Sequence, residues 1–237
     1  MNIAMILASG TGSRMGNTDC PKQFLPIYNK PLIVHTIEAF EMHDEIEYII
    51  VVTNENYIDQ VKVWCKQYDL GKVKSVVAGG SSRQISVYNG LKALKENGVK
   101  DDDIVVIHDG ARPLISQTII TDNVEGCKKY NAVDTVIPSS DTIIRSVDQE
   151  TIKEIQKRSE LFLGQTPQTF RYGIIKGAHD HAFEINDTDT TDDCKLVIKM
   201  GVPVHLVNGS KLNFKITTFD DLMMLKALLK IGKSEVL

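Results

Sequence analysis

Basic surplus is what these 237 residues lack: 27 Lys and Arg stand against 31 Asp and Glu, a formal net charge of −4. That balance argues against a protein gripping nucleic acid through a broad basic surface. It argues equally against a polybasic membrane anchor. Closely spaced cysteines are missing too. Cys20, Cys65, Cys127 and Cys194 are far apart and form no C-x-x-C pair, so four reduced thiols are expected, not a disulfide framework or a zinc site. Nor does any apolar run approach the ~20 residues needed to span a bilayer. The N-terminal run Ile3–Ala8 is too short for a signal peptide and has no basic lead, so a cytoplasmic chain is expected. What remains is ordinary globular composition, 42% hydrophobic and 24% charged, with ample length for a core.

Short β-branched runs recur with amphipathic stretches between them. Ile3–Leu7, Tyr48–Val52, Lys74–Ala78, Ile104–His108 and Ala132–Pro138 read as strands, mostly buried. Pro31–Phe40, Asn56–Tyr68, Ser81–Leu94 and Ser116–Tyr130 carry apolar residues at helical spacing. Alternation of this kind implies βαβ units, a mainly parallel sheet and helices on both faces. Ligands of such sheets lie beyond the carboxyl ends of the strands, so the loops after Ala8, Ala78 and His108 are the places for chemistry. Between Ser139 and Gln168 the alternation breaks. Two short strand patterns, Asp141–Ser146 and Thr151–Ile155, flank a polar turn with too few apolar residues for a core; they read as a protruding hairpin arm on a single domain of residues 1–237. Helices at Tyr172–Phe183, Asp192–Met200 and Phe219–Leu229, and a strand at Val204–Val207, complete the pattern.

Ala8-Ser-Gly-Thr-Gly-Ser-Arg-Met-Gly16, running on to Pro21-Lys-Gln23, is the most informative stretch. Its glycines allow close backbone approach, so that successive N–H groups can cradle phosphate oxygens. A dinucleotide fingerprint would need its third glycine where Met15 stands, and no Gly-Lys-Ser/Thr follows as in a Walker A loop. The distinctive feature is two cations, Arg14 and Lys22, on one glycine-rich loop, which suits a triphosphate. A second loop, Gly79-Gly-Ser-Ser-Arg-Gln-Ile-Ser86, leads from strand to helix with Ser81 or Ser82 as cap; Ser86 could meet a base or ribose. In the third, His108-Asp-Gly-Ala-Arg-Pro113, Asp109 at a strand tip is placed to hold a divalent metal bridging nucleotide phosphates. Arg112 either joins the site or orients Asp109.

In order along the chain, these loops and the segments Gln165-Thr-Pro-Gln168, Thr191-Asp192 and Asn213-Phe-Lys-Ile-Thr217 resemble a family of nucleotidyltransferases. The likeness is to the polyol-phosphate cytidylyltransferases that act on D-ribitol 5-phosphate and on 2-C-methyl-D-erythritol 4-phosphate, and it spans Ile3 to about Leu229. It implies a Rossmann-like α/β fold of the nucleotide-diphospho-sugar transferase type, with residues 139–168 as a dimerising arm. By the same resemblance Ala8, Ser9, Gly10, Thr11 and Gly12 wrap the CTP phosphates, while Gly80, Ser86, Asp109 and Arg112 also contact nucleotide. Arg14, Lys22 and Lys215 are the catalytic cations, with Mg2+ at Asp109. Thr142, Arg158, Thr166 and Thr191 match acceptor-binding positions, and a homodimer is implied in which Arg158 reaches the neighbour's site. Leu212, Gly164 and Cys194 resemble the ribitol-phosphate enzymes more, making D-ribitol 5-phosphate the first expected acceptor and methylerythritol phosphate the alternative.

Other features carry less. His179 and His181 read as surface histidines on a helix. The acidic run Asp187–Asp193 has Asp192 where a calcium loop needs glycine and Ile198 where it needs glutamate, so a helix N-terminus explains it better. Trp64 reads as core-facing, and Cys194 has no histidine in an identifiable relation to it. A non-catalytic nucleotide sensor would be expected to have lost Lys22 or Asp109, and both are present. An NAD(P)-dependent oxidoreductase fails on the glycine spacing.

Overall fold

The structure is a computed structural model that describes residues 1–10 and 20–234. Strand β1 (Asn2–Ala8) precedes a 3-10 turn at Lys22–Phe24, the short strands β2 (Pro26–Ile27) and β3 (Lys30–Pro31), and helix α1 (Leu32–Glu41). Next come β4 (Tyr48–Thr53), α2 (Ile58–Gln67), β5 (Val73–Ala78), α3 (Arg83–Glu96), β6 (Ile104–Asp109), α4 (Gln117–Tyr130) and β7 (Ala132–Pro138). The chain ends through β8 (Ile144–Arg145), β9 (Glu154–Ile155), β10 (Phe162–Arg171), α5 (Tyr172–Glu184), α6 (Asp193–Lys199), β11 (His205–Asn208) and α7 (Phe219–Ser234).

Seven strands form one sheet in the order β11-β7-β10-β6-β1-β4-β5. Only β10 runs against its neighbours; the other pairings are parallel. Apolar residues on both faces of the central strands account for this architecture. Ala4, Ile6 and Ala8 of β1, with Val106, pack beneath α1 and α4, whereas Ile3 and Met5, with Ile107, pack beneath α3 and α5. A strand that buries both faces reads as a continuous apolar run, which is why β1, β4 and β6 were legible from sequence. Helix starts follow their caps: the Ser82 side chain accepts from Ile85 N–H, Ser116 from Ile119 N–H and Asp192 from Lys195 N–H. Asn131, at φ 70°, ends α4 in the left-handed conformation that asparagine tolerates.

Two expectations need correction, and one feature is new. The arm was bounded at 139–168, but its return half, from Phe162, already belongs to the central sheet as β10. Only β8 and β9, which pair with each other, stand apart from it. His179 is not a surface residue; it is fully buried. A small hairpin, β2–β3, was not anticipated: its turn residues Tyr28 and Asn29 both have positive φ, a turn usually signalled by Asn-Gly. It matters for function, because Ile27 and Leu32 pack with Ile216, Leu222 and Leu225. Helix α7 thereby ties the segment around Lys22 to the segment around Lys215.

Candidate active site

Because β1, β5 and β6 run parallel, their carboxyl ends release three loops at one edge of the sheet. A cavity of ≈ 500 Å³ lies there, lined by Ala8, Ser9, Gly10, Lys22, Gly80, Ser86, Asp109 and Lys215. A larger recess of ≈ 660 Å³, beside Lys62, Cys65 and Lys66 at the β5 edge, contains no residue of these loops. Chemistry is therefore sought in the smaller one. Arg14, Thr11 and Gly12 lie outside the described residues.

Hydrogen bonds fix the first two loops to each other. Gln23 Nε2 donates to the carbonyls of Ala8 (2.7 Å) and Gly10 (2.8 Å), holding the entry of the glycine-rich loop. Ser86 is a buried hub: its Oγ accepts from Ser9 Oγ at 2.8 Å and from Gly80 N at 3.0 Å, and donates to Ser82 O at 2.8 Å. Its hydroxyl hydrogen is thus committed inside the protein. Ser86 stitches the loops where it lines the cavity. Gly79 is required by close approach, since a Cβ there would lie 2.5 Å from Ser9 Cβ. Lys22 begins the short 3-10 turn and is largely buried in the cavity wall.

Across the cavity, Asp109 Oδ2 meets Lys215 Nζ at 3.0 Å and Arg112 Nε at 3.3 Å. Burial alone would raise this carboxyl, but Lys215, Arg83 and Arg112 hold it well below the usual carboxylate range. It is ionised at any working pH. Arg112 also donates to Asn213 O at 2.7 Å, and Ile216 N to Ala111 O at 2.8 Å, so the Asp109 loop and the Lys215 segment move as one. Arg112 is thereby engaged in tying the two segments together.

Behind Asp109 runs a chain of fully directed hydrogen bonds. His108 Nε2 faces Arg112 O at 3.1 Å; a carbonyl only accepts, so this nitrogen carries the hydrogen. Burial pushes His108 down to about 4, so the ring is neutral and its Nδ1 accepts from Thr166 Oγ1 at 3.0 Å. Thr166 Oγ1 in turn accepts from Asp109 N at 3.1 Å. The Thr166 side chain is thus buried behind the site, occupied in positioning Asp109. Thr142 and Thr191 are exposed, and exposed Arg158 reaches its own arm, Nη1 to Ser140 O at 3.4 Å. The structure therefore brings Ala8, Ser9, Gly10, Lys22, Gly80, Ser86, Asp109 and Lys215 together, but does not bring Thr142, Arg158 or Thr191 among the cavity's lining residues.

The chemistry of the donor set fits Mg2+ held largely by phosphates. Among the described residues no group of three or more His, Cys, Asp or Glu side chains forms a metal cage. One ionised carboxylate facing a phosphate-sized cavity matches the usual Mg2+ arrangement, in which substrate phosphates and water supply the remaining ligands.

Sequence reasoning missed two features here. Arg83 lines the cavity, where it had figured only as part of a motif. Next to it, Gln168 Nε2 lies 3.2 Å from Asp134 Oδ1, 2.9 Å from Asp192 Oδ2 and 3.2 Å from Cys194 Sγ. Burial pushes Asp134 up to about 7 against the Gln168 hydrogen bond, and Asp192 adds to the rise. Cys194 is buried, with its thiol pushed far up by that burial, so it is no nucleophile. An acid whose folded pKa exceeds its unfolded value of about 3.9 keeps its proton in the native state. The folded protein loses stability as pH rises from that unfolded value through about 7. The expected result is that Asp134→Asn raises the melting temperature at pH 8 by a few degrees and by clearly less at pH 5. Thermal unfolding at the two pH values checks it; an equal effect at both would show that Asp134 does not titrate in this range.

Comparison with known proteins agrees with this geometry. The family model described as IspD, 2-C-methyl-D-erythritol 4-phosphate cytidylyltransferase, matches residues 2–231. The 4-diphosphocytidyl-2C-methyl-D-erythritol synthase of Anaerococcus prevotii is 27% identical, with a TM-score of 0.81 over 97% of this chain and 96% of that one. The 2-C-methyl-D-erythritol 4-phosphate cytidylyltransferase of Francisella tularensis is 29% identical, with a TM-score of 0.79 over 94% and 97%. That of Thermus thermophilus is 27% identical, with a TM-score of 0.75 over 95% and 98%. The cavity with its phosphate-type loops, the fold and a model match across nearly the whole length converge: the chain belongs to the 2-C-methyl-D-erythritol 4-phosphate cytidylyltransferase (IspD) family and is a CTP-using nucleotidyltransferase.

Proposed function

We propose that this chain transfers CMP from CTP to the phosphate of a short acyclic polyol phosphate, releasing pyrophosphate. The observation that carries the reading is one cavity lined jointly by the Asp109–Lys215 pair, Lys22 and Ala8, Ser9 and Gly10. A phosphate monoester is largely dianionic at neutral pH, so its oxygen attacks the α-phosphorus of CTP without a general base. The new P–O bond forms as the bond to the β-phosphate breaks, and pyrophosphate leaves with the electron pair. The protein's task is alignment and charge stabilisation. Lys22 and Lys215 stabilise the charge developing on the reacting phosphates, joined by Arg14 from the same loop as Lys22. Ala8, Ser9, Gly10, Thr11, Gly12 and Gly80 offer backbone to the nucleotide. Mg2+ bound at Asp109 would neutralise phosphate charge.

The family model and the matched structures support methylerythritol phosphate as the acceptor, better than the ribitol 5-phosphate first expected. Ribitol 5-phosphate keeps specific support in the residues: exposed Leu212 stands where an acidic side chain is common in methylerythritol enzymes. A pyrophosphate-release assay with CTP and Mg2+, run side by side on both acceptors, tests the reading. Faster turnover of methylerythritol phosphate is the expected result; preference for ribitol 5-phosphate would reverse the choice, and turnover of neither would overturn the activity.

The arm supports a homodimer. Ile144, Val147, Ile152 and Ile155 are all more than half exposed, an apolar surface suited to a second copy. In that assembly Arg158 reaches the neighbour's site to serve the acceptor phosphate, which Thr142 and Thr191 also bind. Mixing inactive Lys22→Ala and Arg158→Ala proteins should then recover activity, because a mixed dimer holds one intact site. No recovery after subunit exchange would place Arg158 outside the neighbour's site.

A further inference from the structure

One cation in the cavity wall has no part in the reaction above. Arg83 opens α3 directly after its Ser82 cap, lining the cavity beside the nucleotide loops while its side chain reaches residues of β10 and α6. Its Nη1 donates to Asp193 Oδ2 at 2.6 Å and its Nη2 to Gln168 Oε1 at 3.4 Å. Asp193 is fully buried, and its other oxygen faces His179 Nε2 at 3.0 Å, with His179 fully buried as well. A carboxylate only accepts, so His179 carries its hydrogen on Nε2. Asp193 N also donates to Gln168 Oε1 at 3.3 Å. Side chains from α5, α6 and β10 thus converge to fix one guanidinium on α3.

Net stability does not explain such an arrangement, because apolar replacements of a buried ion pair are often as stable. What the arrangement supplies is direction. A guanidinium has five donors in a rigid fork, of which Asp193 and Gln168 take two, and Arg83 lines the cavity. Its neighbours beyond Gln168 are Asp134 and Asp192, and Asp192 directly follows Thr191, an acceptor-binding residue under the proposed function. A fork fixed there matches a phosphate monoester approaching the α-phosphorus.

We propose that Arg83 binds the phosphate of the acceptor, with Asp193, His179 and Gln168 as positioning residues that hold its fork. This rests on the polyol-phosphate reading above. The test is calorimetric binding of CTP and of each polyol phosphate to the full-length chain, with inorganic phosphate as a third probe. Arg83→Gln should weaken polyol phosphate about tenfold or more while CTP stays within about twofold, and Arg83→Lys should fall between. The decisive variant is Arg83→Gln with Asp193→Asn, which removes both charges and so leaves no unpaired buried ion. Wild-type thermal stability with weak polyol-phosphate binding is expected of it. Recovery of wild-type polyol-phosphate affinity in that variant would reduce the pair to a structural role and overturn the proposal, as would equal loss of CTP and polyol phosphate in Arg83→Gln. If wild-type protein turns over neither acceptor, the proposed activity fails separately, and inorganic phosphate binding still decides the role of Arg83.

Discussion

Replacing Lys22 by alanine is expected to lower pyrophosphate release roughly 10²–10³-fold while the protein remains folded. Lys22 is largely buried at the start of its short turn and lines the cavity that also holds Asp109 and Lys215. The adjacent Gln23, not Lys22, makes the hydrogen bonds that hold the carbonyls of Ala8 and Gly10. Loss of the ammonium should remove charge from the reacting phosphates while Gln23 keeps its two hydrogen bonds at the loop entry. The effect should appear in kcat far more than in the KM for the acceptor, since charge develops as the bond to pyrophosphate breaks. Single-turnover rates and a thermal melt check both halves. Near-wild-type turnover in a folded variant would remove Lys22 from the chemistry.

Legibility of the fold depended on how many faces an element buries. Central strands such as Ile104–Asp109 are buried throughout, and their unbroken β-branched runs could be read directly. Strand β10 could not, because Gly164, Pro167 and its polar residues argue against a strand. Tertiary partners override that signal: Thr169 Oγ1 donates to Asn123 Oδ1 at 3.0 Å, and Thr135 Oγ1 to Pro167 O at 2.7 Å. A register shift between Gly164 and Gln168 takes up the irregularity. None of these partners is near in sequence.

The site divides in the same way. Gly10, Lys22, Gly80 and Asp109 announce themselves through local motifs at strand ends, and the cavity gathers them. Thr166 and His179 could not be assigned locally, because each acts through a partner far along the chain: Thr166 through Asp109, and His179 through Asp193. His179 reads from sequence as a surface histidine, and the buried carboxylate that holds it inside instead lies in the next helix. The same limit applied to Arg83, whose orientation depends on Asp193 and Gln168.

Asp109→Asn should be the second large loss, roughly 10²-fold or more in kcat, with a higher Mg2+ concentration needed for half-maximal rate. The backbone N–H of residue 109, not its carboxylate, engages Thr166, so the hydrogen-bond chain through His108 should survive the substitution. What disappears is the negative charge that Lys215 and Arg112 share and that Arg83 senses. Three cations then face one another with less compensation, and the variant should melt below wild type. The sign with pH follows from the depressed carboxyl. Its stabilising contribution is present above the unfolded pKa of about 3.9 and is lost only as pH falls through the lower folded value. The melting deficit of Asp109→Asn should therefore stay nearly constant between pH 8 and pH 5, the window in which the effect of Asp134→Asn changes. Thermal unfolding at the two pH values separates these two carboxylates. An Mg2+ titration of the rate addresses the metal: an unchanged half-saturating concentration in Asp109→Asn would show that this carboxylate orders Lys215 and Arg112 but does not hold the ion.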